Sequence, residues 1–372
     1  MMDIYAPRRD RLLRLIAAEP LDAVLITNPL NVTYLTGFSG EASYLIVSPK
    51  KTLLVSDGRF TDQLREECPD LETHIRPPAK ALTEATAEVL GKLPLRNVGF
   101  ESADLTVAVF QALSERAETV SWSPGPSRVE QLRQVKDAWE IGQIRSAIRM
   151  AEKAFAMFRA MVRPRDTEKE LVDAMEMFVR RAGGKCTAFP TIVAVGERAA
   201  LPHAPPTERA IGAEILVLID WGASGPFYKS DLTRVLLPHN NLALPGSQLS
   251  GKLCGVYETV LKAQMRAISV LRPGIKSGEV DAAARQVIAE AGYGEQFTHS
   301  IGHGFGLQIH EAPFMRPDGE VVLEAGMVVT VEPGVYIPGW GGVRIEDDIL
   351  ITPDGHEVLT SVPKDFAANA LD

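Results

Sequence analysis

The segment VLIDWGASGPFYKSDLTRVLL, residues 217–237, decides how this chain is interpreted. Two apolar stretches flank a Gly-Pro turn, and each stretch carries one aspartate, Asp220 and Asp231. Acidic residues are depleted in strands, and burying them is costly unless they are paired or bind a metal. A hairpin centred between Gly225 and Pro226 places the two aspartates directly opposite each other, with Cβ atoms about 5 Å apart. Opposed like charges of this kind indicate a cation between them.

A second segment, VVTVEPGVYIPGWGGVRIEDDILI at 328–351, repeats this arrangement. It reads as another apolar hairpin, with a Gly-rich turn centred on Gly339. That register places Glu332 opposite Glu346. Four carboxylates converging from two hairpins match two divalent cations nearly charge for charge.

The segment HSIGHGFGLQIHE at 299–311 supplies nitrogen ligands. His303 lies between two glycines, which let the backbone approach closely, and it is the best candidate for a fifth ligand. Oxygen-rich ligation with one imidazole suits Mn²⁺ or Co²⁺, and Zn²⁺ is an alternative. Two such ions roughly 3.5 Å apart share a water and stabilise both ends of a hydrolytic transition state. A strand aspartate, an acidic run or a lone histidine is usually structural, so only the combination points to a site.

Length and composition bound the class of protein. The 372 residues suffice for two domains with sizeable cores, and 45% hydrophobic with 23% charged residues is ordinary for a globular protein. A net charge of −9 without a basic stripe argues against nucleic-acid binding. No apolar run is long enough for a membrane span. Three scattered cysteines favour a reducing, cytoplasmic environment.

The chain divides into two predicted domains, 1–125 and 126–372. Strand and helix patterns alternate in the first of them, which includes a hairpin at 44–57, and the Pro-Gly-rich segment 122–127 is predicted to be a linker. A long amphipathic helix is predicted at 130–162.

An internal repeat organises the second domain. MVRP at 161–164 recurs as VLRP at 270–273, an offset of 109 residues (270 minus 161), and a helix follows each motif. Thr167 and Glu170 form a capping box at the start of the first of these helices. A β-rich segment containing acids then follows each helix pair. The pattern predicts a duplication with a pseudo-two-fold relation.

Taken together, these residues resemble the pita-bread metallopeptidases, which include methionine aminopeptidase, aminopeptidase P and prolidase. The resemblance rests on DWGASGPFYKSDLTR, GHGFG, VEPG and VRIEDD, and on NVTYLTGFSG and SDGRF near the N-terminus. It implies an α/β creatinase-like N-terminal domain and an α+β pita-bread catalytic domain with an internal pseudo-two-fold repeat. It also implies that five side chains hold two metal ions: Asp220, Asp231, His303, Glu332 and Glu346.

The proline-specific branch of this family is the nearest match, since Arg344 lies two residues before Glu346 and LPHAPP occupies 201–206. The resemblance implies cleavage of a peptide whose second residue is proline, by a homodimer. It places His203 and His310 near the scissile bond and gives Glu332 a part in proton relay.

Other roles implied by the resemblance are less specific. His299 matches a supporting position, Arg344 is expected beside Glu346, and Arg59 in SDGRF is the candidate that binds the proline carboxylate. The compact length favours a dipeptidase (prolidase), with aminopeptidase P acting on longer peptides as the alternative. A non-catalytic pita-bread binding protein is a remote alternative, because such proteins have typically lost ligands.

Overall fold

The computed structural model describes residues 4–238 and 248–371, of which 248–250 are described by their backbone alone. The chain forms two compact units, Met1–Arg133 and Gln134–Asp372. The segment 122–127 is not a linker, because Ser121–Gly125 forms a strand of the first unit. The domain limits 1–125 and 126–372 stay a prediction. No helix within the described residues combines the length and apolar character that a membrane crossing needs.

The first unit is a mixed six-stranded sheet with helices, in the strand order β4-β3-β2-β1-β5-β6. Its central strand AVLI is buried along its whole length, as expected for a strand covered on both faces. The hairpin predicted at 44–57 is the antiparallel pair of β2 and β3. The strands are β1 Ala23–Ile26, β2 Ser43–Ser48, β3 Lys51–Asp57, β4 Glu72–Arg76, β5 Asn97–Glu101 and β6 Ser121–Gly125. The helices are α1 Ala6–Ile16, α2 Pro29–Thr36, the 3₁₀ turn Gly58–Phe60, α3 Thr61–Glu67, α4 Leu82–Lys92, α5 Val107–Arg116 and α6 Arg128–Gln134, which ends one residue into the second unit.

The second unit places two helix pairs on antiparallel sheets. Its α-helices are α7 Ala138–Met161, α8 Glu168–Arg181, α9 Gln248–Val270 and α10 Ser277–Glu290, with 3₁₀ turns at Gly196–Ala200, Gly294–Gln296 and Ala367–Asn369. The strands of its first half are β7 Cys186–Thr187, β8 Ile192–Val195, β9 Val217–Trp221, β10 Ala223–Ser224 and β11 Leu232–Leu236. Those of its second half are β12 Gly302–Gly304, β13 Glu311–Met315, β14 Val328–Val331, β15 Gly334–Ile337, β16 Gly341–Arg344, β17 Asp347–Thr352 and β18 Gly355–Val358.

The internal repeat is present in the helices. α8 and α10 begin and end at the predicted offset of 109 residues (277 minus 168), and each is followed by a glycine with positive φ, Gly183 and Gly292. Side chains of α7 and α8 pack on β8, β9 and β11, whereas those of α9 and α10 pack on a second cluster that includes β14 and β17. Each helix pair therefore buries one face of a sheet. The opposite face of β9 is also partly apolar, since Leu218 belongs to the second cluster, and Asp220 shares that face with it.

The helix predicted at 130–162 is interrupted. α6 ends at Gln134 and α7 begins at Ala138. Between them Val135 bridges to Met327, and the Lys136 N–H donates to the carbonyl of Gly326. Asp137 then caps α7 through a capping box with Glu140. The apolar spacing predicted one continuous helix. The backbone pairing of Val135 and Lys136 with a distant segment and the N-cap at Asp137 break that helix, because these interactions outweigh local periodicity.

The first hairpin has a register different from the predicted one. Asp220 lies opposite Thr233, so the pairing is shifted by two residues and the two aspartates are diagonal neighbours on the same face. The turn is closed by a 2.8 Å hydrogen bond from the Gly225 N–H to the Tyr228 carbonyl, which places Pro226 at the first central position. The fixed φ of proline favours this position over the second one, which explains the shift.

The second hairpin has the predicted register. Gly334 pairs with Arg344 in the outer ladder, and Val331 pairs with Asp347 in the inner ladder. Glu332 and Glu346 occupy the gap between the two ladders, at opposed positions. The prediction of opposition is therefore confirmed for this pair.

The hairpin of β9 and β11 tolerates no side chain at Gly222. A Cβ there would lie 1.9 Å from the Ser230 carbonyl oxygen, whereas a Cβ at Gly142 in α7 would meet nothing within 4 Å. We expect Gly222→Ala to lower the melting temperature by several degrees, because overpacking costs about 1–3 kcal/mol. Gly142→Ala, the matched control, should raise it slightly, since alanine favours the helix by about 1 kcal/mol. Calorimetry of both variants tests this; equal melting temperatures would contradict the close approach.

Candidate metal centre

Alternation along β9 sends its side chains to opposite faces. Ile219 and Trp221 enter the apolar cluster under α7 and α8, where the Trp221 ring stacks 4.3 Å from that of Phe155. The Trp221 Nε1–H also donates to the Ala151 carbonyl. Because successive side chains alternate, the anchored tryptophan turns Asp220 to the other face of the sheet. The carboxylate is thereby buried away from the helix pair.

Three carboxylates converge at this place. Asp220, Asp231 and Glu346 each offer an oxygen within 4.8 Å of the others, and all three side chains are buried. Asp220 Oδ1 and Glu346 Oε1 have no hydrogen-bond partner within the described residues. Buried anionic oxygens without partners are costly, so this donor set fits a divalent cation.

His303 and Glu332 adjoin the three carboxylates. The His303 Nε2 atom lies 3.2 Å from Glu332 Oε1 and 3.7 Å from Asp231 Oδ2. Its Nδ1 donates to the Gly304 carbonyl, which fixes the tautomer and presents Nε2 to the acids. The five residues predicted as ligands therefore lie together, although Glu332 and His303 fall outside the tight group of three.

The pKa values reflect uncompensated charge. Burial, reinforced by Glu346 and Asp220, raises the pKa of Asp231 well above its ordinary value, and burial with Glu332 does the same for Glu346. Burial also opposes ionisation of Glu332, but the hydrogen bond with His303 holds its pKa down at about 2. The pKa values of Asp231 and Glu346 are raised because no positive charge compensates them. A bound divalent cation would supply that charge, so raised pKa values of this kind are expected at a cation site considered without its cation.

Arg344 contacts Asp220 directly, not Glu346 as expected from the sequence. Its Nη2 donates to Asp220 Oδ2 at 2.5 Å, and its Nε donates to Thr233 Oγ1, whose hydroxyl in turn donates to Glu346. Arg344 therefore reaches Glu346 only through Thr233.

His299 belongs to the same hydrogen-bond chain. Arg344 Nη1 donates to the Tyr336 hydroxyl, which donates to His299 Nε2 at 2.9 Å, while His299 Nδ1 donates to the Ser300 carbonyl. Burial lowers the pKa of His299, in keeping with a neutral ring that accepts at one nitrogen and donates at the other. His299 thus supports Arg344 through Tyr336.

Several supporting residues were not foreseen from the sequence. Thr233 and Thr330 bind carboxylates of candidate ligands: Thr233 donates to Glu346 at 2.6 Å, and Thr330 donates to Glu332 at 3.1 Å. Each lies two residues along a strand from a predicted ligand, so period-two spacing was the available signal. Tyr336 gave no comparable signal.

The acidic run 346–348 is buried, although acidic runs are usually solvated. Arg234, itself fully buried, donates to Asp347 at 2.7 Å and to the Glu346 carbonyl at 2.5 Å. Lys364 adds a second ion pair with Asp347 at 2.6 Å. Asp348 accepts from the Asp231 N–H. Asp347 is neutralised by its own cations, so the uncompensated charge is confined to the predicted ligands and Asp348.

A cavity of about 590 Å³ opens onto the five predicted ligands. His203 and His310 both line it, and the His310 ring lies 4.4 Å from that of His303. Much of the remaining wall is apolar, formed by Phe189, Pro190, Ile192, Pro205, Ile309 and Phe314. The arrangement suits a small substrate with an apolar group beside a polarising, acid-rich centre.

A buried acid cluster with one histidine, where two hairpins meet, favours a metal-dependent hydrolase as the class of protein. Family models agree with this class: one described as metallopeptidase family M24 matches residues 142–353, and one described as a creatinase/prolidase N-terminal domain matches residues 8–135. The chain belongs to metallopeptidase family M24, and it is a peptidase with the pita-bread fold. Membership implies divalent metal ions.

The chain is similar to several known proteins along nearly its whole length. An Xaa-Pro dipeptidase from Bacillus anthracis is 36% identical, with a TM-score of 0.90 over 97% of this chain and 99% of that one. An X-Pro aminopeptidase from Thermotoga maritima is 33% identical, with a TM-score of 0.87 over 96% and 99%. The uncharacterized peptidase YqhT of Bacillus subtilis is 35% identical, covering 96% and 98%.

Replacing Asp231 separates metal binding from folding. We expect Asp231→Asn to raise the melting temperature of chelator-treated protein, because it removes a buried acid whose ionisation is opposed by burial and by the neighbouring acids. The same variant should lose the stabilisation that added Mn²⁺ gives the wild type, which amounts to about 2.7 kcal/mol at a hundredfold excess over Kd. Thermal melts with and without Mn²⁺ measure both effects. An unchanged Mn²⁺ shift in the variant would remove Asp231 from the site.

Proposed function

We propose that this peptidase hydrolyses the bond between the first residue and a following proline, most simply in Xaa-Pro dipeptides, using two divalent ions. The observation that carries the proposal is the convergence of Asp220, Asp231 and Glu346 with His303 and Glu332 at the floor of a partly apolar cavity. Similarity to proteins named as Xaa-Pro peptidases supports the choice of substrate.

The Xaa–Pro bond demands this type of site. It is a tertiary amide without an N–H, and the pyrrolidine ring crowds its carbonyl. A peptidase that accepts a hydrogen bond from the scissile N–H finds no such donor in an Xaa–Pro bond. A divalent cation acts as a Lewis acid on the carbonyl and lowers the pKa of an attacking water, neither of which needs that hydrogen. The apolar wall beside the acids offers a surface for the ring.

The chain's own residues would supply the proton transfers. Glu332, which contacts Thr330 and His303, would accept a proton from the attacking water and return it to the leaving ring nitrogen. His203 and His310 line the cavity and would donate hydrogen bonds to the developing oxyanion. Arg344 would fix the position of Asp220 through its 2.5 Å bond.

The chemistry of the donors narrows the metal. Carboxylates dominate the set and one imidazole completes it, which favours Mn²⁺ or Co²⁺ and leaves Zn²⁺ as an alternative. Asp220, Asp231, His303, Glu332 and Glu346 would hold both ions. Their four carboxylate charges would balance two dications.

Substrate length is the open alternative within the proposal. Aminopeptidase P activity on longer peptides is the second candidate, favoured by the similarity to an X-Pro aminopeptidase. The sequence predicts that Arg59 binds the proline carboxylate of a dipeptide. In the first unit Arg59 forms a 2.7 Å ion pair with Asp57 through Nη2, while its Nε donates to the same carboxylate. Its role remains a prediction.

We also propose a homodimer in the cytoplasm. The three cysteines, Cys68, Cys186 and Cys254, are free thiols, which suits a reducing compartment. Sedimentation equilibrium of the metal-loaded protein gives the assembly state directly.

Chelation and reloading test the proposed reaction. We expect the chelated enzyme to be inactive on Ala-Pro and Ala-Pro-Ala, and activity to return when Mn²⁺ or Co²⁺ is added. A dipeptidase should prefer Ala-Pro strongly over Ala-Pro-Ala. Ala-Ala serves as the control for proline dependence. Activity that survives chelation, or equal rates on Ala-Ala and Ala-Pro, would refute the proposal.

His203 and His310 should act on the transition state rather than on the metals. We expect His203→Ala and His310→Ala each to lower kcat by about 10²- to 10³-fold, because each removes a donor near the reacting atoms. Metal content, measured by elemental analysis, should stay at the wild-type value. The matched control is His356→Ala. His356 lies on β18, and its Nδ1 donates a hydrogen bond to the Leu271 carbonyl. Loss of metal in either active-site variant would instead assign that histidine to metal binding.

A further inference from the structure

The side chain of His203 has no hydrogen bond of its own to fix its position. It lines the cavity, it is exposed, and within the described residues its ring neither donates nor accepts a hydrogen bond. A side chain in that situation is placed by its backbone, which prolines at 202, 205 and 206 stiffen. The position of His203 therefore depends on what holds residues 201–207, the His203 segment.

A buried carboxylate binds the end of the His203 segment. Glu168 is the first residue of α8, and its side chain is 0% exposed. The Thr207 N–H and hydroxyl donate to Glu168 Oε2 at 2.9 and 2.7 Å, and the Val195 N–H donates to Oε1 at 2.9 Å. Thr207 ends the segment, whereas Val195 is the last residue of β8. One carboxylate thus joins the end of the segment to the strand that precedes it.

Arg198 connects the same carboxylate to the middle of the segment. Its Nε donates to both oxygens of Glu168 at 2.9 Å, and its Nη2 donates to the Pro205 carbonyl at 2.5 Å. Arg198 lies in the 3₁₀ turn Gly196–Ala200, directly before the segment. Because the planar guanidinium has a fixed donor geometry, these bonds set the distance between the turn and Pro205. Glu168 and Arg198 therefore fix the backbone on both sides of His203.

The internal repeat shows that this carboxylate is an addition to the shared architecture. Ser277, the first residue of α10, occupies the position of Glu168 in the second half of the unit (277 minus 168 gives 109). The backbone pairs alike in both halves, since the Glu168 N–H donates to the Arg209 carbonyl and the Ser277 N–H donates to the Val321 carbonyl. The Ser277 hydroxyl, however, has no partner within the described residues. The bound carboxylate is specific to the half that carries His203.

We propose that Glu168 and Arg198 are positioning residues for His203, which hold the His203 segment so that the ring faces the reacting bond. The inference rests on the proposed function, in which His203 donates a hydrogen bond to the oxyanion. Neither Glu168 nor Arg198 is among the residues that line the cavity, so both act through the histidine. A displacement of about 1 Å at a reacting centre costs up to about 10²-fold in rate.

Removing Arg198 should lower turnover without loss of metal. In Mn²⁺-loaded protein assayed on Ala-Pro well below the melting temperature, we expect Arg198→Ala to lower kcat by about 10- to 100-fold, with KM within a few-fold and metal content unchanged. Arg180→Ala is the control, because it removes the ion pair with Glu176 at the opposite end of α8 and should leave kcat unchanged. An unchanged kcat in Arg198→Ala overturns the proposal.

Thr207 separates positioning from folding. Thr207→Val removes one hydrogen bond to Glu168 with little change in volume, whereas Thr207→Ser keeps that bond. We expect Thr207→Val to lower kcat by about tenfold, the lower end of the range for a hydrogen bond to a charged group, and Thr207→Ser to stay within about twofold of wild type. Equal losses in both variants, or a loss in neither, would remove Glu168 from the proposed role.

A double-mutant cycle tests whether the effect passes through His203. If Arg198 acts by placing that ring, Arg198→Ala should cost nothing further in an enzyme that already carries His203→Ala. The kcat of the double variant should then lie within about twofold of that of His203→Ala alone. Losses that multiply would show a general effect on structure, which contradicts the proposal.

The placement of His203 can also be measured without turnover. In Zn²⁺-loaded protein with ¹³C-labelled histidine, the NMR signal of the His203 ring is identified by its loss in His203→Ala. We expect this signal to shift and sharpen in Arg198→Ala and in Thr207→Val, because the ring becomes mobile, and to stay unchanged in Arg180→Ala. If wild type cleaves no Xaa-Pro peptide, the proposed function fails, while this spectrum still decides the inference. An unchanged His203 signal in both variants rejects it.

Discussion

The electrostatic repulsion among buried carboxylates is the constraint on which the rest of the second unit depends. Asp220, Asp231 and Glu346 are held within 4.8 Å of one another in a place where water does not compensate them. Unfavourable proximity of this kind persists only if the surrounding structure imposes it. Two ladders, two anchoring helix pairs and a buried guanidinium impose it here, and a divalent cation turns the same proximity into binding energy.

The duplicated architecture explains how so many acids reach one place. Each helix pair buries one face of a sheet, and period-two alternation then delivers the acids to the opposite face. Trp221 shows the principle most directly, because its stacking under α7 leaves Asp220 no other orientation. The positions of the acidic side chains are thus set by the packing of their apolar neighbours. The chemistry of the site is set by the acids that alternate with those neighbours along the strands.

The family was predicted from the resemblance of short motifs such as GHGFG and VRIEDD. The repeat and the convergence of the candidate ligands were predicted from helix spacing and strand alternation, which are local properties. The sequence predicted the opposition of Glu332 and Glu346 correctly. It failed for Asp220 and Asp231 by two residues, since the turn was assigned without giving proline its preferred position. The break between α6 and α7 and the part of Tyr336 depend on partners distant in sequence, such as Gly326 and His299, which local patterns do not identify.

The double ladder of the second hairpin also bears on how this fold can diversify. The pairing of β14 with β17 fixes the opposition of Glu332 and Glu346 from the side of the core, independently of what lies at the tip. The turn at 338–340, where Gly339 adopts a φ of 72°, is therefore not needed to set the relative position of Glu332 and Glu346. Chain can be inserted there, by evolution or by an engineer, while the spacing of the candidate ligands Glu332 and Glu346 is inherited unchanged.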